Sequence, residues 1–290
     1  MENKIALITD STCDLPKDLL DKFSIEVWPL KIIYKDNEYQ DRIDISPKEI
    51  YDRFEEEIPS TSMPSPAEMQ SKFEELKDKG FTHVIAILIS SGLSGTYNVC
   101  KMASEGVEGL KIEVIDSKLL SLGLGRLVLY ARNLIDEGKL GFEEMVENIK
   151  NKTDDVNLNF VVGTLKYLKA GGRIGRVRGT IGELLNIKPI ISINEEGVYY
   201  TIDKARSRKA SLNKLFNNLK EKVKDGLCYV DVLHANAEEE AQALIDKFKK
   251  LSNVKGTFFG EVGPAIAVHA GPGLIGVCVT YLSNKTFDLE

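Results

Sequence analysis

Short apolar runs alternate with amphipathic stretches through the first half of the chain. Ile5 to Ile8 is an apolar run that stops at Thr9-Asp10-Ser11-Thr12, and a helical pattern opens after Leu15-Pro16, so strand, polar loop and helix are predicted. Ile25 to Tyr34 reads as a second β-rich stretch, closed by the hairpin turn Lys35-Asp36-Asn37-Glu38. Ser46-Pro47-Lys48-Glu49 carries a helix start: Ser46 as N-cap, Pro47 at the first helical position and Glu49 closing a capping box, with the helix running to about Ile58. The proline-stiffened, hydroxyl-rich loop 59–66 precedes a helix over Ala67 to Lys79 that stops at Gly80. Val84 to Ile89 is continuously apolar, as a strand covered on both faces of a parallel sheet must be. Ser90 to Thr96 then separates it from another helix, Lys111 to Ile115 repeats the strand, and Lys118 to Glu137 is helical.

The rhythm changes after about Asp154. Asn159 to Val162, Pro189 to Ile193, Val198 to Ile202, Cys228 to His234, Val254 to Glu261 and Ile275 to Tyr281 all read as strands, with helices near Ser207 to Lys224 and Ala237 to Leu251. The polar, aperiodic segment 151–157 marks a boundary. The predicted fold class is α/β: an N-terminal parallel-sheet α/β domain over residues 1–153 and a second, mixed α+β domain over 154–290.

With 43% hydrophobic and 28% charged residues over 290 positions, the composition is that of an ordinary globular chain. A chain of this length buries roughly 75% of its unfolded surface, enough for one large core or two medium ones. Thirty-eight Lys and Arg against 44 Asp and Glu give a net charge of −6, which argues against nucleic acid as a partner. Cys13, Cys100, Cys228 and Cys278 are far apart and form no CxxC pair, so neither a zinc site nor a disulfide framework is expected. The most apolar stretch, Ala265 to Leu282, is interrupted by His269 and Gly-Pro-Gly, and the N-terminal apolar run is too short for a signal peptide, so a cytoplasmic location is predicted.

Candidate chemistry gathers in two hydroxyl-rich loops. Ser90 to Thr96 follows a buried strand and opens a helix, which in a doubly wound sheet puts it at the carboxyl edge where ligands bind. Free amides and the helix dipole favour an anion there, and Ser94 reads equally as a plain N-cap. Neutral donors suit a carboxylate or one phosphate better than a triphosphate, and no GxxxxGK[ST] loop occurs. Thr61 and Ser62 present hydroxyls ahead of another helix and could reach the same edge, or serve only as turn residues. His269, among apolar residues before a glycine-rich turn, reads as a core histidine on an apolar strand or as a general acid-base. No GxSxG elbow is present to activate a serine, which disfavours hydrolysis. The basic segments Gly171 to Gly179 and Lys204 to Lys209 suit a phosphate or an acidic partner surface, or are simply solvated.

Taken in order, Thr9-Asp10-Ser11-Thr12-Cys13-Asp14-Leu15-Pro16, Thr61-Ser62-Met63-Pro64-Ser65, Ser90-Ser91-Gly92-Leu93-Ser94-Gly95-Thr96-Tyr97, Ile115-Asp116-Ser117, Gly171-Gly172-Arg173-Ile174 and His269 resemble the DegV family nearly end to end. The resemblance implies a two-domain bacterial protein that binds a long-chain, palmitate-like fatty acid and needs no cofactor. It implies a carrier rather than an enzyme: the binding subunit, called FakB, of a fatty acid kinase. In that scheme the protein takes the acid from a membrane it touches transiently, and a separate ATP-dependent catalytic subunit phosphorylates the carboxylate. The resulting acyl phosphate feeds phospholipid synthesis. Carried over by position, Ser62, Ser94, Thr61, the Gly95 amide and His269 match the family's carboxylate-binding group, while Arg173 and Arg206 match partner- or phosphate-contacting positions. The alternative from the residues alone is an enzyme acting on a small carboxylated or phosphorylated metabolite through His269 and Ser94.

Overall fold

The computed structural model describes residues 4–177, 179 and 187–282. Arg178, in the first basic segment, lies outside the described residues. The chain opens with β1 (Ile5–Asp10), whose Asp10 side chain accepts from Thr12 N and caps a 3-10 turn over Ser11–Cys13 before α1 (Lys17–Lys22). The β-rich stretch predicted from Ile25 to Tyr34 is two strands, β2 (Ile25–Trp28) and β3 (Lys31–Ile33). Pro29 between them has no N–H for a ladder, and the Leu30 amide donates instead to Ser11 Oγ at 2.9 Å. The hairpin turn follows as expected, leading to β4 (Glu38–Gln40).

In α2 (Pro47–Arg53) the Ser46–Glu49 capping box is present, although the helix ends five residues before Ile58. After β5 (Ser60–Ser62), a second capping box of Ser65 and Glu68 opens α3 (Pro66–Asp78). There follow β6 (His83–Leu88), α4 (Thr96–Glu105), β7 (Lys111–Asp116), α5 (Ser121–Glu137) and α6 (Phe142–Lys152). The second half carries β8 (Val156–Val161), α7 (Lys166–Ala170), β9 (Lys188–Ile193), β10 (Tyr199–Ala205), α8 (Arg208–Val223), β11 (Cys228–His234), α9 (Glu238–Phe248), β12 (Val254–Glu261), α10 (Pro264–Ala270) and β13 (Ile275–Tyr281).

The strands form three sheets. The first is parallel throughout, in the order β2-β1-β6-β7. A separate six-stranded sheet, β10-β9-β8-β13-β11-β12, is antiparallel except for its β11–β12 pair. The small antiparallel sheet β4-β3-β5 holds the 60–62 segment. Both faces of the parallel sheet are covered, which is why Val84 to Leu88 is buried without alternation. One apolar cluster spans both large sheets, joining Leu7, Ile85 and Ile87 to Leu158, Phe160 and Cys278 through α5 residues such as Leu124 and Leu127. Burial of an apolar helix between two sheets explains why α5 is apolar nearly all round.

Candidate functional site

An internal cavity lies where the carboxyl ends of the parallel strands face the six-stranded sheet. Its wall is mostly apolar: Leu30, Ile89, Leu93, Leu120 and Leu122 from one side, Leu158, Phe160, Leu233, Leu274 and Cys278 from the other. Thr12, Thr61, Ser94, Ser121, Arg173 and His269 bring polar atoms to it.

Each polar group is placed by its own local rule. Strand alternation separates Thr61 from Ser62: Thr61, opposite the buried Ile32, lines the cavity, and Ser62 does not. Ser94 stands one residue before the position expected of an N-cap, since Gly95 is the N-cap of α4 and offers no side chain. The Ser94 hydroxyl still accepts from Thr96 N at 3.3 Å and lies 2.7 Å from Thr96 Oγ1. The Gly95 backbone is covered by the Met63 thioether, which a Cβ at position 95 would meet at 3.0 Å.

His269 lies on a helix, α10, and not on the apolar strand expected for it. Gly263-Pro264 starts that helix, with proline at the first helical position, and the following apolar residues are buried on all sides. The imidazole Nε2 is 2.7 Å from Thr61 Oγ1. Its Nδ1 is buried without a hydrogen-bond partner among the described residues and packs against Gly171, where a Cβ would approach to 2.1 Å. Burial first, and the nearby Arg173 charge second, lower the His269 pKa to about 4, so the ring is neutral at neutral pH. Arg173 donates from Nη1 to the Gly171 carbonyl at 2.6 Å and from Nε to the Leu93 carbonyl at 3.1 Å, tying the segment after α7 to the loop before α4.

Four of the residues singled out from the sequence therefore meet on the cavity: Thr61, Ser94, Arg173 and His269. Ser62 and Gly95 are their chain neighbours and lie off its wall, while Arg206 is exposed between β10 and α8. Ser94 and His269 are engaged by different partners, Thr96 and Thr61, so no serine–histidine hydrogen bond prepares a nucleophile. Ser121 and Asp231 also line the cavity without having been singled out from the sequence, and Thr12 stood out only as part of the first motif. Asp231 had a visible signal, a lone charge inside the apolar run Tyr229-Val230-Asp231-Val232-Leu233. A cavity with hydroxyls, a neutral imidazole and one guanidinium at one end, and hydrocarbon elsewhere apart from the ion-paired Asp231, suits a monoanionic head on an apolar tail.

Comparison with known proteins agrees with this architecture. Residues 4–282 match the model of a family described as uncharacterised proteins of the DegV family. A DegV domain-containing protein of Clostridium acetobutylicum is 47% identical over 276 residues, covering 95% of this chain and 98% of that protein. A solved DegV family protein from Thermus thermophilus, described by its fatty acid binding, superposes with a TM-score of 0.90 at 31% identity, over 96% of this chain and 100% of the other. The Bacillus subtilis DegV structure, described as a fatty acid binding protein, gives a TM-score of 0.89 at 31% identity, covering 97% and 100%. Among the described residues no helix is long and apolar enough to cross a membrane.

Proposed function

Because the chain belongs to the DegV family, we propose that it holds a long-chain fatty acid in this cavity and presents the carboxylate to a separate ATP-dependent kinase, which forms the acyl phosphate. The observation that carries the reading is the apolar cavity with Thr61, Ser94, Arg173 and His269 gathered at one end. In this reading the hydroxyls and Arg173 hold the carboxylate, and His269 is held in place by Thr61 and Gly171. Ser62 and the Gly95 amide stand beside these groups on the same two loops and lie off the cavity wall. Burying about 14 methylenes at ~0.8 kcal/mol each supplies roughly 11 kcal/mol before ordering costs, so the tail can supply most of the affinity. A loosely charged head group then stays available for phosphorylation.

The exposed Arg206 offers the kinase a docking contact. The domains 1–153 and 154–290 close over the acyl chain, and the protein works in the cytoplasm with brief membrane contact to load. Mass spectrometry of solvent-extracted protein, purified without added lipid beside an unrelated control, should find stoichiometric long-chain fatty acid. An empty protein that also takes up no added acid would refute the reading. Arg206→Ala should keep its lipid while acyl phosphate formation with the kinase falls.

A further inference from the structure

The cavity has a second charged feature far from its polar mouth. On β11, Asp231 faces the cavity and is held by Arg126 of α5 in a two-point ion pair, Nε to Oδ2 at 2.7 Å and Nη2 to Oδ1 at 2.5 Å. The Phe258 amide also donates to Asp231, at 3.2 Å. Both side chains are almost fully withdrawn from water, 9% and 0% exposed. The guanidinium lies 4.3 Å from the Tyr229 ring centroid, and its Nη1 has no hydrogen-bond partner among the described residues.

Two elements that run from one end of the cavity to the other pass this pair. His269 sits at the end of α10, and the chain turns from there directly into β13, so the mouth lies at the start of that strand. Along β13, Gly276 and Cys278 line the cavity and Thr280 lines a second, smaller void. These three stand opposite Leu233, Asp231 and Tyr229 of β11, so Asp231 occupies the last rung before the smaller void. Gly276 and Thr280 are four residue steps apart along the strand, about 13 Å. On α5, Ser121 and Leu122 line the cavity, while Arg126, Leu129 and Tyr130 line the smaller void, so the pair stands between the two with Asp231 facing the cavity and Arg126 the void.

We propose that the Arg126–Asp231 pair is the floor of the acyl cavity and fixes the longest chain the protein accepts. The inference rests on the fatty-acid reading above and adds a limit to it. The pair cannot serve the head group, because a carboxylate brought to this end would meet the Asp231 carboxylate. It is a better stop than a leucine would be. An apolar side chain can change rotamer to admit one more methylene, whereas pushing an alkyl terminus between these two groups would leave buried charges without partners.

The test is competition for the wild-type and variant proteins among saturated fatty acids of graded chain length, read by mass spectrometry of the bound fraction. Arg126→Ala together with Asp231→Ala removes both charges at once and joins the two voids. The bound distribution should move to longer acids, by about fourfold for each methylene that finds the new space. Cys278→Leu, which narrows the cavity at the rung of Asp231, should move it to shorter acids and serves alone if the double variant does not fold. An unchanged distribution in either folded variant overturns the proposal. Wild-type protein that binds no acid of any length overturns the fatty-acid reading as well, a result distinct from an unmoved ceiling.

Discussion

At the end of the cavity beside α10, the polar groups are mostly neutral and incompletely engaged: Thr61 meets one nitrogen of His269, the other nitrogen faces Gly171, and Ser94 leans on Thr96. At the opposite end a fully charged pair is closed on itself by two hydrogen bonds and a backbone amide. Both ends are buried and each keeps one nitrogen without a partner among the described residues, so the difference lies in charge pairing. Neutral donors at the mouth are what an anionic head group needs, and two opposite charges that bind each other in two-point contact are what a barrier needs.

The sharpest way to break this contrast is to remove one half of the floor. Arg126→Ala alone, or Asp231→Ala alone, leaves an uncompensated buried charge and should destabilise the protein by about 3–5 kcal/mol, read from urea unfolding. The double variant should lose less than the sum of the two singles. Additive losses would mean that the charges are not coupled and that the floor is held by packing alone.

At the mouth the same kind of deletion should cost less, because water or ligand can serve the atoms left behind. Thr61→Val removes the hydroxyl beside His269 Nε2 while keeping the shape, and should weaken fatty-acid binding by about 1–3 kcal/mol with little change in unfolding. A loss of stability as large as at the floor, with affinity intact, would make the mouth a structural network and erase the distinction.

How much of this could be read in the chain depends on how local the determinant is. The capping box of Ser46 with Glu49 was legible because it is complete within four residues. The parallel strands were legible because burial on both faces leaves a continuous apolar run. His269 reads as a strand residue for the same reason, since Ala265 to Val268 is also continuously apolar, whereas the structure starts a helix at Gly263-Pro264. Thr61 and Ser62 could not be told apart, since strand phase is set by pairing with β3. The floor was the least legible, its two charges being 105 residues apart and joined only by the fold.

The gentlest probe concerns the helix that carries His269, because a carboxyl at its start titrates against the imidazole at its end. Asp41 accepts from Ala265 N at 3.0 Å, and its pKa is raised to about 7, by burial above all, against the lowering effect of Ser11 and the Ala265 amide. From its ordinary 3.8 to about 7, native Asp41 keeps a proton that the unfolded chain has released, so its contribution to stability falls as pH rises. His269 acts the other way. From 6.5 down to about 4, the unfolded chain binds a proton that the native ring refuses, so stability falls as pH falls. Each slope is at most about 1.4 kcal/mol per pH unit, and the two oppose each other over their shared range. Asp41→Asn should therefore gain on wild type as pH rises across that window, and His269→Gln should gain on wild type as pH falls. Urea midpoints measured at a series of pH values decide it, and parallel profiles for wild type and both variants would mean that neither group changes protonation on unfolding.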